Sequence, residues 1–305
     1  MKKLIKLLTI ALCLTVGLAA LSACNKGDFV FDWNQEILIV QREAGSGTRD
    51  AVESSAMLNL AGKVHSSATD VKTTGAMRTF VGNMSYAIGY MSIASLDDSV
   101  KALKLGGVEA NNDNIKNGTY AFQRPFLLIT SVDVALTDMS ALAQDFYKYI
   151  MSNEGQNVIK ADKLAEKTGT GAFTKTALAG DLTLKVWGST SVSPVMEKLA
   201  EAYKNLYTGV NITIEVGGTG SGDGRTEADK KLPNSFGMVS SALSGAATDP
   251  NSQVSKYKPY EIALDGVAVV VNKNNPLTDL TKQQMTDIFE GVKTGYNKWS
   301  AVKPA

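Results

Sequence analysis

Short apolar runs of four or five residues, closed off by polar or turn residues, recur along the chain between stretches of helical period. Runs of that length bounded by turn residues read as strands. Glu36-Ile37-Leu38-Ile39-Val40, Phe126-Leu127-Leu128-Ile129 and Val267-Ala268-Val269-Val270-Val271 read as buried strands. Leu182/Leu184/Val186 and Ile212/Ile214/Val216 alternate at period two, so these strands have one wetter face. Helices bring their own punctuation. Ser193 before Pro194 predicts a cap and a proline at the first helical position, with Val195, Leu199, Tyr203 and Leu206 on one apolar stripe. Thr281-Lys282-Gln283-Gln284 fits a capping box, with Met285, Ile288 and Phe289 on the buried side and Gly291 as the stop. Between Ser140 and Asn153, Leu142, Phe146 and Ile150 repeat every four residues. Strands alternating with amphipathic helices specify an α/β fold.

A chain of 305 residues can bury one large core or two smaller ones. Residues Glu166 to Gly180 lack a sustained apolar period and predict a connector between two portions of similar size, which are not repeats of each other. Lys and Arg number 31 against 30 Asp and Glu, and no dense basic run follows Lys6, so a nucleic-acid partner is not expected. Two cysteines and one histidine, His65, are too few for a disulfide framework, a Cys/His zinc site or a Cys–His catalytic pair. No metal and no catalytic residue is expected, and His65 reads as a surface or capping residue.

Lys2, Lys3 and Lys6 precede an apolar stretch from Leu7 to Ala20 that ends in Leu21-Ser22-Ala23-Cys24. Basic, apolar and small-residue regions in that order predict an export leader over residues 1–24. The tetrad resembles the bacterial lipobox, which implies that Cys24 becomes the lipidated first residue, anchored to the membrane outside the cytoplasm. The alternative is an uncleaved anchor, since about 20 apolar residues span a bilayer. Loss of the three leader lysines turns the formal charge of +1 into −2.

Three clusters of Gly, Ser and Thr follow predicted strands: Arg42-Glu43-Ala44-Gly45-Ser46-Gly47-Thr48-Arg49, Gly188-Ser189-Thr190-Ser191, and Gly217 to Gly224. Ligands of open α/β sheets sit at the carboxyl ends of the strands, where helix amino termini present free N–H groups. Glycine admits close approach and hydroxyls add donors, so such clusters suit an anion. Gly218-Thr219-Gly220-Ser221-Gly222 lacks the Gly-Lys-Ser/Thr ending of a nucleotide P-loop.

These segments resemble the phosphate-binding proteins of bacterial ABC-type phosphate importers. Gly188 through Pro194, Gly218 through Gly222, and Phe236-Gly237-Met238-Val239-Ser240-Ser241 resemble that family's three successive anion loops. Asp265 through Asn272, Ile288-Phe289-Glu290-Gly291 and Trp299 follow in its order. Arg42 through Thr48, Ala87-Ile88-Gly89-Tyr90, Arg124-Pro125 and Ser152 through Gln156 resemble its later half, which here comes first. The rotated order resembles a circular permutant in which residues 166–180 join the family's usual termini; a chain cut from a tandem array is the alternative.

The resemblance implies a two-lobed periplasmic-binding-protein fold, type II-like, with two hinge crossings near Tyr120–Phe126 and Leu264–Val270. Lobe A would span residues 123–267, and lobe B residues 25–122 with 268–305. The implied ligand is inorganic phosphate or a similar tetrahedral oxyanion, with no cofactor, a membrane ABC permease as partner, and a monomeric state. Carried over, Thr190, Ser191 and Ser221 donate from one lobe, and Arg42, Ser46, Gly47 and Thr48 from the other, with Arg42 as the one full positive charge. Ser240 stands where many relatives carry an aspartate; Asp265 and Asp223 are its candidate substitutes. Arg49 reads as a helix-face residue. Two other classes are open to the sequence: a phosphatase or phosphotransferase with Ser46 or Ser191 as nucleophile, and a non-transport surface protein or sensor.

Overall fold

A computed structural model describes residues 29–54, 56–291 and 297–304. The leader and Cys24 lie outside the described residues. Residues 29–32 belong to a separate unit, Met1–Asp32, and the compact body runs over Trp33–Ala305. Among the described residues no helix is long and apolar enough to cross a membrane.

The strands, in chain order, are β1 (Leu38–Arg42), β2 (Thr69–Val71), β3 (Ala87–Ser92), β4 (Val100–Ala102), β5 (Lys104–Leu105), β6 (Gln123–Ser131), β7 (Ala165–Glu166), β8 (Asp181–Gly188), β9 (Asn211–Gly217), β10 (Ser235–Val239), β11 (Tyr257–Asn272) and β12 (Asp279–Leu280). The helices are α1 (Gly47–Glu53), α2 (Thr74–Asn83), α3 (Asn112–Lys116), α4 (Ala141–Met151), α5 (Asn153–Ala161), α6 (Ser193–Lys204), α7 (Ser221–Ala228), α8 (Gln253–Lys256) and α9 (Lys282–Glu290).

One curled mixed sheet runs β2-β1-β3-β11-β6-β10-β8-β9. Two lobes share it. β1 is parallel to β2 and β3 on one side, and β8 is parallel to β9 and β10 on the other. Between them lie two antiparallel strands, β6 and β11. The first part of β11 pairs with β6 from Tyr257↔Ser131 to Gly266↔Gln123; the next residues, Val267 to Val271, pair with β3 instead. A continuous strand therefore passes from one lobe into the other at Gly266 and Val267. Because β8, β9 and β10 are mutually parallel, the loops after them emerge on one edge of the sheet.

The core between β6 and β9 is built as the apolar periods require. Leu142, Phe146 and Ile150 of α4, Val195, Leu199 and Tyr203 of α6, and Leu184 and Val186 of β8 share one buried cluster. In the other lobe Val267 to Val271, Met285, Ile288, Phe289 and Trp299 are buried. The α9 capping box is present, with Thr281 accepting from the Gln284 N–H and Gly291 closing the helix at φ 59°. The expected helix after Ser140 divides at Ser152, whose hydroxyl caps α5.

Two local expectations are corrected. The first strand is displaced toward Arg42, because Val40, Gln41 and Arg42 pair with Thr69, Asp70 and Val71; Glu36 bridges to Lys298. Ser193 is not the cap of α6. Val192 holds that position without a side-chain bond, and the Ser193 hydroxyl donates to the Ser189 carbonyl at 3.1 Å. The chain already turns helically at Ser189, whose carbonyl accepts from the N–H groups of Val192 and Ser193.

Close approach of α7 to the sheet depends on Gly237 in β10. A Cβ there would lie 2.1 Å from the Gly224 carbonyl oxygen and 2.9 Å from Ile129. Gly237→Ala is expected to destabilise the fold by about 1–3 kcal/mol through overpacking, measured as a shift in urea midpoint; an unchanged midpoint would show that α7 can lift away freely.

A candidate anion site between the lobes

Four loops meet at the edge where the lobes face each other. α6 and α7 both begin without a side-chain cap, at Val192 and Gly220; the Ser193 N–H is taken by the Ser189 carbonyl, and those of Gly222 and Asp223 by the carbonyls of Gly45 and Gly220. In α1, Ser46 is the cap, its hydroxyl accepting from the Arg49 N–H at 3.4 Å. α2 starts at Thr74 behind the cap Thr73.

The hydroxyls of the two lobes touch directly. Thr48 Oγ1 lies 3.1 Å from Ser191 Oγ, and Thr74 Oγ1 lies 3.3 Å from Ser191 Oγ and 3.4 Å from Thr190 Oγ1. Ser189 donates to Ser240 Oγ at 2.9 Å, and the Ser240 N–H donates to Ser221 Oγ at 3.1 Å. Gly47 fits against this pair: a Cβ on it would lie 2.2 Å from Ser221 Oγ and 2.7 Å from Ser240 Oγ. The N–H of Gly222 donates to the Gly45 carbonyl across the interface at 2.9 Å. At the rim Arg225 faces Asp50 at 3.4 Å. Thr190, Ser191, Ser221, Ser240, Arg42, Ser46, Gly47 and Thr48 thus fall in one neighbourhood. All but the half-buried Thr190 are buried.

Arg42 does not stand alone as the positive charge. Its guanidinium makes two bonds of 2.9 Å to the Glu43 carboxylate and reaches Thr74 at 3.2 Å and Thr190 at 3.2 Å. A second guanidinium, Arg124, is buried in the same cluster. It donates to Thr48 Oγ1 at 2.8 Å, to the Ser240 carbonyl at 3.0 Å and to Asp265 at 2.9 Å. Burial pushes the Asp265 carboxyl above and the Arg124 guanidinium below their ordinary values, and attraction within the pair opposes both shifts. Each cation is therefore matched by a carboxylate, and neutral donors make up the rest.

The other sequence candidates lie elsewhere. Asp223 accepts from the Thr219 N–H and hydroxyl, closing its own loop. Arg49 is bonded to Glu53 at 2.6 Å and to the Arg42 carbonyl at 3.0 Å. His65 bonds to Ser67 and packs against Gly291, which leaves neither Ser46 nor Ser191 a histidine base. Two grooves border the cluster. One of about 640 Å³ is lined by Gly45, Asp50, Arg124, Arg225 and Ser241, and one of about 320 Å³ by Thr74, Arg78, Thr190 and Lys198.

Sequence reasoning missed Thr74. Lys72-Thr73-Thr74-Gly75 lies between β2 and α2, the same strand, Ser/Thr/Gly, helix pattern that marked the other loops, but β2 is too short for an apolar period to announce it. Arg124 carried no sign of its depth beyond the Arg-Pro motif.

A family profile described as a PBP superfamily domain matches residues 169–305. The phosphate-binding protein PstS 2 of Streptococcus pneumoniae is 39% identical over 271 residues, covering 86% of this chain and 87% of that protein. PstS 2 of Streptococcus agalactiae is 34% identical over 312 residues, covering 98% and 100%. The crystal structure of a phosphate-binding protein of a phosphate ABC transporter from S. pneumoniae matches with a TM-score of 0.65 at 35% identity, covering 88% of this chain and 100% of that one. With sequence and fold both following such relatives over most of their length, the chain belongs to the PstS phosphate-binding protein family.

Proposed function

We propose that this chain captures inorganic phosphate between its two lobes and delivers it to an ABC permease in the membrane, without catalysing a reaction. The observation that carries this reading is the meeting of Thr48 and Thr74 of one lobe with Thr190 and Ser191 of the other, at distances of 3.1–3.4 Å. Hydroxyls that can reach each other directly can reach a shared tetrahedral anion with a small opening of the lobes. Thr190, Ser191, Ser221 and Ser240 supply one half of the shell, and Arg42, Ser46, Gly47 and Thr48 the other. Charge-assisted hydrogen bonds contribute about 1.5–3 kcal/mol each. Several of them, less the cost of ordering and closure, reach micromolar affinity or better. Ligand held from both sides favours the closed form, so binding and closure are one equilibrium.

The matched charges suit this task. Arg42 and Arg124 attract the anion, while Glu43 and Asp265 keep the interior neutral before it arrives, which moderates the cost of burying guanidinium groups. In an enzymatic reading Ser46 or Ser191 would need a base, and the partners of Ser191 Oγ are hydroxyls. The sequence of the leader supports placement outside the cytoplasm on a lipidated Cys24, and a monomer suffices for a site formed within one chain.

The order of motifs, which the PstS 2 relatives share along most of their length, supports a passage through the fold rotated from the order expected of phosphate-binding proteins. The segments that would flank an ordinary loop of the unrotated protein are neighbours: the Ile37 N–H donates to the Asn297 carbonyl at 2.8 Å and the Trp299 N–H to the Gln35 carbonyl at 3.1 Å. A variant joining residue 304 to residue 33 by a short linker and opening the chain within residues 170–178 is expected to keep its melting temperature and its phosphate affinity. Loss of folding on that rearrangement would tell against the rotation.

Calorimetric titration of the purified domain with phosphate is expected to give one site per chain; absence of heat at micromolar protein would remove the proposal. Gly47→Ala is expected to weaken phosphate at least tenfold, because a Cβ there would lie 2.2 Å from Ser221 Oγ and 2.7 Å from Ser240 Oγ, two groups of the same shell. Equal affinity in that variant would show that the ligand is held without this contact.

A further inference from the structure

The buried ion pair on the two crossing strands touches the site from within. Asp265 of β11 and Arg124 of β6 are register partners at the place where the chain passes between lobes, and both are buried, at 0% and 2% exposure. Asp265 accepts from Ser92 of β3 at 2.8 Å, so it is gripped by the lobe that carries Thr48. Arg124 spends one N–H on Asp265 and directs Nη1 at two groups, Thr48 Oγ1 at 2.8 Å and the Ser240 carbonyl at 3.0 Å. These two groups lie on opposite lobes.

We propose that Arg124 is a positioning residue of the anion site: anchored by Asp265, it turns the Thr48 hydroxyl into a donor aimed at the ligand and ties it to the loop of Ser240. A hydroxyl has one hydrogen and two lone pairs. With a guanidinium N–H against its oxygen at 2.8 Å, the Thr48 hydrogen is repelled from Arg124 and points toward Ser191, 3.1 Å away, where the anion would lie. The orientation is set before the ligand arrives, so less ordering is left for binding to supply. Anchorage by Asp265 keeps the guanidinium from swinging into the site as a free charge. The same Nη1 bridges the lobes, since opening them must stretch its bond to Thr48 or to Ser240.

The inference rests on phosphate being the ligand, and one set of titrations separates the two claims. Wild-type protein, Thr48→Val, Arg124→Lys, the neutral pair Arg124→Met/Asp265→Leu, and each Arg124 variant combined with Thr48→Val are titrated with phosphate, with melting temperatures measured alongside. If wild type gives no phosphate signal, the assignment of the ligand fails. If it does, the neutral pair is expected to fold, because replacing both buried charges leaves neither unpaired, and to bind about ten- to hundredfold more weakly. In the Thr48→Val background the Arg124 changes are expected to cost little more, since their effect runs through the missing hydroxyl. Arg124→Lys, which keeps the charge but not the fork, is expected to fall between. Costs that simply add in the double variants, unaltered affinity in any folded Arg124 variant, or unfolding of all of them that phosphate does not reverse would each overturn the proposal and leave the pair as a support of the fold alone.

Discussion

β11 runs sixteen residues without a break, bonded to β6 over its first part and to β3 over its last. Everything about the site follows from that shared strand. The parallel strands on either side of the crossing carry their loops to a common edge, and the continuity of backbone bonding keeps those edges opposite each other. A covalent connection by flexible linkers would leave the meeting of Thr48 and Ser191 to chance. Two paired strands, β6 and β11, cross between the lobes at Gln123 and Gly266, and their register fixes which groups face each other.

The second constraint is electrostatic. A site for a doubly charged anion could be built from unopposed cations, but two buried unpaired guanidiniums would repel and would each be costly to desolvate. Here Arg42 leans on Glu43 and Arg124 on Asp265. The remaining polar groups of the cluster are hydroxyls. Neutral dipoles cost far less to bury than ions, and they can satisfy one another across the closed interface, as the contacts of Thr48, Thr74, Thr190 and Ser191 show.

Much of this arrangement was legible along the chain. Capping of α9 by Thr281 and Gln284, its stop at Gly291, and the buried stripe of Leu142, Phe146 and Ile150 all depend on residues three or four positions apart. The Ser193 cap failed for a local reason that lies one turn earlier: the carbonyl of Ser189 had already begun the helix. The loop clusters were recognisable because strand, glycine and hydroxyl, and helix follow each other directly. Thr74 escaped notice because its strand is three residues long.

By itself the sequence determined the alternation of strands and helices, the chemistry of the loops and the preference for an anion, because each is decided by neighbours within about one helical turn. Tertiary structure alone decided which charges are cancelled and which hydroxyls meet. Arg124 finds Thr48 across 76 positions and Asp265 across 141, and no local pattern records such a meeting. Those pairings are set by strand register and by the crossing of β6 and β11, which exist only once the sheet has formed.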